Sequence, residues 1–290
     1  MQLWVLVSIS KLHLSFVIKT MRYATLTFKL RKMGNKLIHL FLIAFILSGC
    51  NTTPVIDYVC INSYPHGTTS FTEGFLFDKG KLYESTGGNG TYPQAKSLFG
   101  IVNLASGEII IKAELDKAKY FGEGITFLNG KVYQLTYKTK VGFIYNSITF
   151  KRVGEFTLPS KEGWGLTTDG TNLIMSDGTN ILTYLDPDNF RVIKKIFVTE
   201  NIHVKKGLNE LEYINDYIYA NIWNTNMIIK INPDNGDVVG RLDLSSLAHE
   251  AKNIYPGSLE MNGIAYDSLT KSIYVTGKFW PRIYEIKLSK

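Results

Sequence analysis

Two Glu-Gly pairs stand out in this sequence: Glu73-Gly74 after Phe71-Thr72, and Glu123-Gly124 after Phe121-Gly122. A carboxyl group held in apolar surroundings is a candidate general acid or base, because burial lifts its pKa toward neutrality. Gly163-Trp164-Gly165-Leu166 has the same outline with an indole in place of the carboxylate. Asn209-Glu210 and Asn262-Gly263 are two weaker copies, and Tyr137, Asp177, Asn221, Trp223 and Lys278 lie between these points. Carboxylates, amides, indoles and one ammonium group brought together would suit a small polar ligand better than a protein groove. Each also has a structural reading. A Glu beside Gly can bond to backbone N–H groups, Asn221 can do so between sheets, and Asp177-Gly178 reads as a turn.

The spacing says what must position these residues. Taking Glu73, Glu123, Trp164, Glu210 and Asn262 as anchors, the intervals are 50, 41, 46 and 52 residues. After each anchor a second apolar segment recurs: Lys81–Tyr83, Lys131–Tyr133, Asn172–Ile174, Tyr217–Tyr219 and Ser272–Tyr274. A third follows, with a turn such as Asn232–Gly236 (NPDNG). About four strands in a period of 40–50 residues predict a β-propeller, and five copies predict five blades. The fold class is therefore all-β, with Leu244–Lys252 as the one stretch of helical period. The fifth copy stops at Arg282–Leu288, one strand short, while Ile56–Tyr64 is strand-like and has no blade. Pairing the two closes the ring and covers an exposed edge. In such a ring the anchors converge on one mouth.

Composition agrees. Of 290 residues 45% are apolar and 20% charged, which supports a core and excludes wholesale disorder. The net charge of +7 resides in the first 49 residues, with seven basic groups and no acidic one. The rest holds 25 of each sign, a neutral body with no general pull on nucleic acid. Met33 to Gly49 reads as a signal peptide: Lys36, the apolar run Leu37–Leu47, then small residues. Leu47-Ser48-Gly49-Cys50 resembles the bacterial lipobox, so Cys50 is the expected lipid anchor, with the protein in the bacterial cell envelope. Residues 1–32 are expected to be an upstream extension or a mis-called start, and residues 50–290 the propeller. With Cys50 lipidated, Cys60 has no disulfide partner, and His66, His203 and His249 have no zinc-ligand spacing. No metal and no other cofactor is expected, and the chain is expected to be a monomer.

The motifs in order resemble the plant-type glutaminyl-peptide cyclotransferases, or glutamine cyclotransferases, a family with bacterial members. The likeness runs from about residue 58 to 288. It is carried by Phe71–Gly74, Tyr83–Gly87, Phe121–Gly124, Gly163–Leu166, Ser176–Thr179, Leu208–Tyr213, Ala220–Trp223, Asn262–Ala265 and Thr276–Pro281. The resemblance implies a five-bladed propeller that acts on peptides or proteins with N-terminal glutamine. It would form pyroglutamate and release ammonia without a metal. It implies Glu123 as acid/base with Lys278 and Asn209 beside it and Trp164, Trp223 and the Tyr137 position as substrate-binding; the convergence of the repeats adds Glu73, Asn262 and Asn221 to the expected substrate-binding residues. Tyr137 departs from the family pattern, which has Trp there. Two other readings compete: a non-catalytic envelope propeller binding peptides or glycans, and a lactonase-type propeller with calcium held by carboxylates.

Overall fold

Short runs rich in Tyr, Ile, Val and Phe, cut by Gly, Asn and Asp, form strands rather than helices because β-branched and aromatic side chains pack well on a pleated surface. The computed structural model describes residues 52–289. The expected leader at 33–49, the expected anchor Cys50 and the segment 1–32 lie outside the described residues. Blade 1 is built from β2 (Thr72–Asp78), β3 (Lys81–Thr86), β4 (Leu98–Val102) and β5 (Ile109–Glu114), and blade 2 from β6 (Gly122–Leu128), β7 (Lys131–Thr136), β8 (Val141–Asn146) and β9 (Arg152–Thr157). Blade 3 holds β10 (Leu166–Thr168), β11 (Leu173–Met175), β12 (Ile181–Leu185) and β13 (Val192–Phe197). A two-stranded hairpin, β14 (Thr199–Glu200) with β15 (His203–Val204), follows it. Blade 4 holds β16 (Leu208–Ile214), β17 (Tyr217–Ile222), β18 (Met227–Ile231) and β19 (Val238–Asp243).

Helix α1 (Ser245–Ile254) leads to blade 5, made of β20 (Met261–Asp267), β21 (Ser272–Gly277), β22 (Arg282–Leu288) and β1 (Tyr58–Pro65). The anchor spacing thus predicts the blade count correctly, and the ring closes as the unpaired segment requires. Strand β1 runs antiparallel to β22 from Tyr58 opposite Leu288 to Pro65 opposite Arg282. The innermost strands β2, β6, β10, β16 and β20 touch in turn, and β20 returns to β2.

The core lies between blades. Leu76 and Phe99 of blade 1 meet Val132 and Phe143 of blade 2, and Leu135 of blade 2 meets Leu173 and Met175 of blade 3. Tyr184 meets Leu211 and Ile229 between blades 3 and 4, and Ile228 meets Val275 and Tyr284 between blades 4 and 5. Phe75 and Leu82 meet Ala265 and Ile283 where the ring closes. Burial fades outward: β2 and β6 are almost wholly buried, while β9 and β13 are mostly exposed and β5 is half so. Helix α1 is the expected helical stretch, and it docks Leu247 and Ala251, four residues apart, on the core of blades 4 and 5. Among the described residues no helix is long and apolar enough to cross a membrane.

Candidate active site

Four of the five innermost strands carry a β-bulge at the anchor. Between Thr72 and Gly74, Gly122 and Ile125, Leu208 and Leu211, and Met261 and Ile264 the register shifts, so the inner strand holds an extra residue. A bulge re-aims side chains and ends the regular alternation. It turns Glu73, Glu123 and Asn209 toward the mouth. The glycine beside each Glu serves the contact between blades instead. A Cβ on Gly74 would lie 2.8 Å from Ile125 N, inside the neighbouring blade. Gly124 N donates to Trp164 O at 2.8 Å, stitching blade 2 to blade 3 at the same level.

The mouth is a cavity of about 300 Å³, and Glu73, Glu123, Tyr137, Trp164, Asn209, Trp223 and Lys278 all line it. Its wall is a belt of six rings in sequence: Tyr92, Phe71, Phe121, Tyr137, Trp164 and Trp223. Successive centroids are 5.0, 5.6, 6.0, 6.3 and 5.9 Å apart. Such spacing is favourable for edge and tilted contacts. Tyr137 keeps the belt continuous, with Lys138 Nζ 4.4 Å from its ring centroid. Trp223, 52% exposed, forms the rim.

Lys278 is the positive centre. Its Nζ lies 2.9 Å from Glu73 Oε1, 3.1 Å from Glu260 Oε1 and 4.5 Å from the centroid of the Phe71 ring. Burial opposes its charge, but Glu73, Glu260 and Glu123 together raise its pKa, so it stays an ammonium. The chain itself thus supplies the cation that these carboxylates need. Glu73 is raised to about 7 by burial, with Lys278 working against the rise. Its other oxygen accepts from Asn262 Nδ2 at 2.9 Å.

Glu123 differs. It is only 4% exposed, and among the described residues no hydrogen bond or ion pair reaches its carboxyl oxygens. Burial, and then the nearby Glu73, raise its pKa well above the usual carboxyl value, against the pull of Lys278. The Asn209 side-chain amide is likewise uncommitted, its Oδ1 buried without a partner.

Two expectations change. Asn221 and Asn262 do not line the cavity: Asn221 Oδ1 accepts from Gly263 N at 2.9 Å, and Asn262 Nδ2 donates to Thr72 O at 3.0 Å as well as to Glu73. Both brace the bulges from behind. Glu210 accepts from Phe75 N and Ile264 N, lacing blade 4 to blades 1 and 5. Asp177 turns the chain by accepting from Thr179 N, and lines a separate groove beside the cavity. The Trp164 indole N–H is engaged by Glu162 Oε2 at 3.0 Å and is not free to donate to a ligand.

The reading of the sequence missed Phe71, Phe121, Tyr92, Asn89 and Glu260. A signal existed for three of them: Phe71, Phe121 and Glu260 each stand two residues before an anchor.

An all-β ring whose inner strands converge on a buried carboxyl, an ammonium and an aromatic wall defines a propeller enzyme with a small polar-ligand cavity. The family model described as Glutamine cyclotransferase matches residues 38–288, and the chain belongs to that family. A glutaminyl-peptide cyclotransferase of Arabidopsis thaliana is 39% identical over 232 residues, spanning 79% of this chain and 71% of that protein. The crystal structure of Myxococcus xanthus glutaminyl cyclase superposes with a TM-score of 0.73 at 32% identity, covering 81% of this chain and 98% of that one.

Proposed function

We propose that this enzyme cyclises the N-terminal glutamine of peptides or proteins to pyroglutamate, releasing ammonia, with Glu123 as its acid and base. The observation that carries the reading is the Glu123 carboxyl, buried in the aromatic cavity and without a protein partner among the described residues. In the reaction the α-amino nitrogen bonds to the side-chain carboxamide carbon of the same residue, and the bond from that carbon to the departing nitrogen breaks. Proximity is built into the substrate, and the belt of rings has to hold its methylenes in the folded-back conformer.

An α-amine with a pKa of about 7.7–8.0 is partly neutral near pH 7 and can attack. Protonated Glu123 gives its proton to the leaving nitrogen, and the resulting carboxylate takes one from the ring nitrogen. One group thus moves a proton from nitrogen to nitrogen and ends as it began, an arrangement typically worth about 10²–10⁴-fold. Charge that develops on the carboxamide oxygen needs a donor. Asn209 suits this role because its amide is uncommitted, whereas Lys278 has Glu73 and Glu260 on its ammonium. Lys278 then contributes positive potential and holds Glu73 in place.

Ammonia release from a Gln-initiated dipeptide, measured with and without EDTA, tests the assignment. Chelator-resistant turnover that falls at least about 10²-fold in Glu123→Gln is the expected result. Turnover surviving in that variant would move the acid/base role to Glu73. No ammonia from a folded wild-type protein would leave a binding module instead.

A further inference from the structure

A second concavity, of about 610 Å³, lies on blade 3 beside the cavity, and Trp164 and Trp223 line both. Its other walls come from the Pro159–Glu162 loop, the Asp177–Thr179 turn, Thr183 of β12 and Lys195 of β13. The ring of Trp164 lies over Gly178, where a Cβ would come within 2.7 Å of it, so the partition between cavity and groove is one indole thick.

The acids of this groove are already engaged. Asp177 Oδ1 accepts from Thr179 N and Oγ1 at 3.1 and 2.5 Å. Glu162 accepts from Trp164 Nε1 and pairs with Lys138 at 3.7 Å. The donors are not: among the described residues the ammonium groups of Lys161 and Lys195 and the hydroxyl of Thr183 have no hydrogen-bond or ion-pair partner. What the groove leaves free for a ligand is therefore two ammonium groups and a hydroxyl, under an exposed Trp223.

We propose that this groove is a downstream subsite that selects peptides with an acidic side chain two residues after the N-terminal glutamine. The inference rests on the cyclotransferase reading: a glutamine folded into the cavity has to send the rest of its peptide out through the mouth, past Trp164 and Trp223. An extended chain advances about 3.3 Å per residue, and on this path the second residue is placed at the indole rim shared by cavity and groove and the third beside the lysines. Trp223 stacks on the peptide between them.

The test uses three substrates: glutamine amide, which ends before the groove, and the tripeptide amides Gln-Gly-Glu and Gln-Gly-Lys, which lack a terminal carboxylate. The expected kcat/KM favours the Glu peptide over the Lys peptide by about 3–10-fold at low salt, the range of two exposed ion pairs. The preference should shrink at high salt. It should disappear in Lys161→Ala/Lys195→Ala while glutamine amide turns over as before. Equal rates for the two tripeptides, or a preference that persists in the double variant, would overturn the subsite. Failure to turn over even glutamine amide would instead overturn the activity. Titration of Trp fluorescence with the same two peptides would then still decide the groove, since tighter binding of the Glu peptide supports it and equal binding refutes it.

Discussion

Glu123 keeps a polar group buried where it has nothing to hold, which costs stability. The sign of that cost with pH follows from its pKa, raised first by burial and then by Glu73. Unfolded, the carboxyl titrates at about 4.3. Between that value and the raised one the folded protein binds more protons than the unfolded chain, so stability falls as pH rises through this window and stays reduced above it. Glu123→Gln removes the titration and should make the protein inactive but more stable, a trade common at functional sites. The variant should melt with the wild type at about pH 4 and above it at pH 8, by about 2–4 °C for each kcal/mol recovered. A melting difference that does not vary between pH 4 and 8.5 would mean that the carboxyl ionises as freely folded as unfolded.

At the scale of elements, the site is a property of bulges. Regular β alternation would send successive residues to opposite faces, whereas the extra residue in β2, β6 and β16 presents Glu73, Glu123 or Asn209 to the mouth and the small or lacing residue after it to the other blades. Gly124 shows the constraint: a Cβ there would collide with Leu166 N and lie 2.6 Å from Trp164 O, where blade 3 meets blade 2. These contacts are backbone and cannot swing aside. Gly124→Ala should therefore cost about 1–3 kcal/mol in urea unfolding and reduce kcat more than a surface variant of equal stability, because it displaces Glu123. Gly130→Ala is the control, since its Cβ would meet nothing within 4 Å although its φ is +73°. Loss of activity out of proportion to stability in Gly124→Ala alone is the expected pattern, and equal activity in the two would overturn it.

The same geometry decides what could be read in advance. Glu73, Glu123 and Asn209 repeat with the blade, so type and spacing were enough to bring them to one mouth. The position two residues before the anchor faces the cavity in three blades, yet it changes from Phe71 and Phe121 to Glu260, and a repeat whose chemistry changes is hard to see. Asn89 and Tyr92 come from the loop between β3 and β4 and have no counterpart in other blades. The inward-facing Asn221 and Asn262 were placed on the right strands. A one-residue difference at a bulge, which sequence does not display, decides whether such an amide meets the ligand or the backbone.

For the whole molecule, closing the ring between blades 5 and 1 is the step that no local segment completes. Beyond the seven paired positions of β1 and β22, the closure ends in a buried ionic latch at His66. His66 Nε2 meets Glu84 of β3 at 3.0 Å, and Nδ1 meets Trp280 O of blade 5 at 2.8 Å. Both ring nitrogens face acceptors, so the doubly protonated imidazole satisfies both. Burial pulls its pKa down, but the Glu84 charge and hydrogen bonds outweigh this and raise it. Thr72, beside Glu73, also donates to Glu84 at 2.7 Å, which ties the latch to the site. A histidine whose pKa is raised on folding stabilises fully below its unfolded value of about 6.5, and the contribution is lost as pH rises through the folded value. His66→Gln, which strands Glu84, should cost about 3–5 kcal/mol at pH 6. The gap from wild type should narrow as pH rises from about 6.5 through the raised pKa and level off above it, as the wild type loses its own latch. The His66→Leu/Glu84→Leu pair, which leaves no buried charge, should recover most of the loss. A gap that stays constant from pH 6 to 10 would mean that the closure is held by β1 and the blade 5–blade 1 core, and that the latch contributes nothing through its charge.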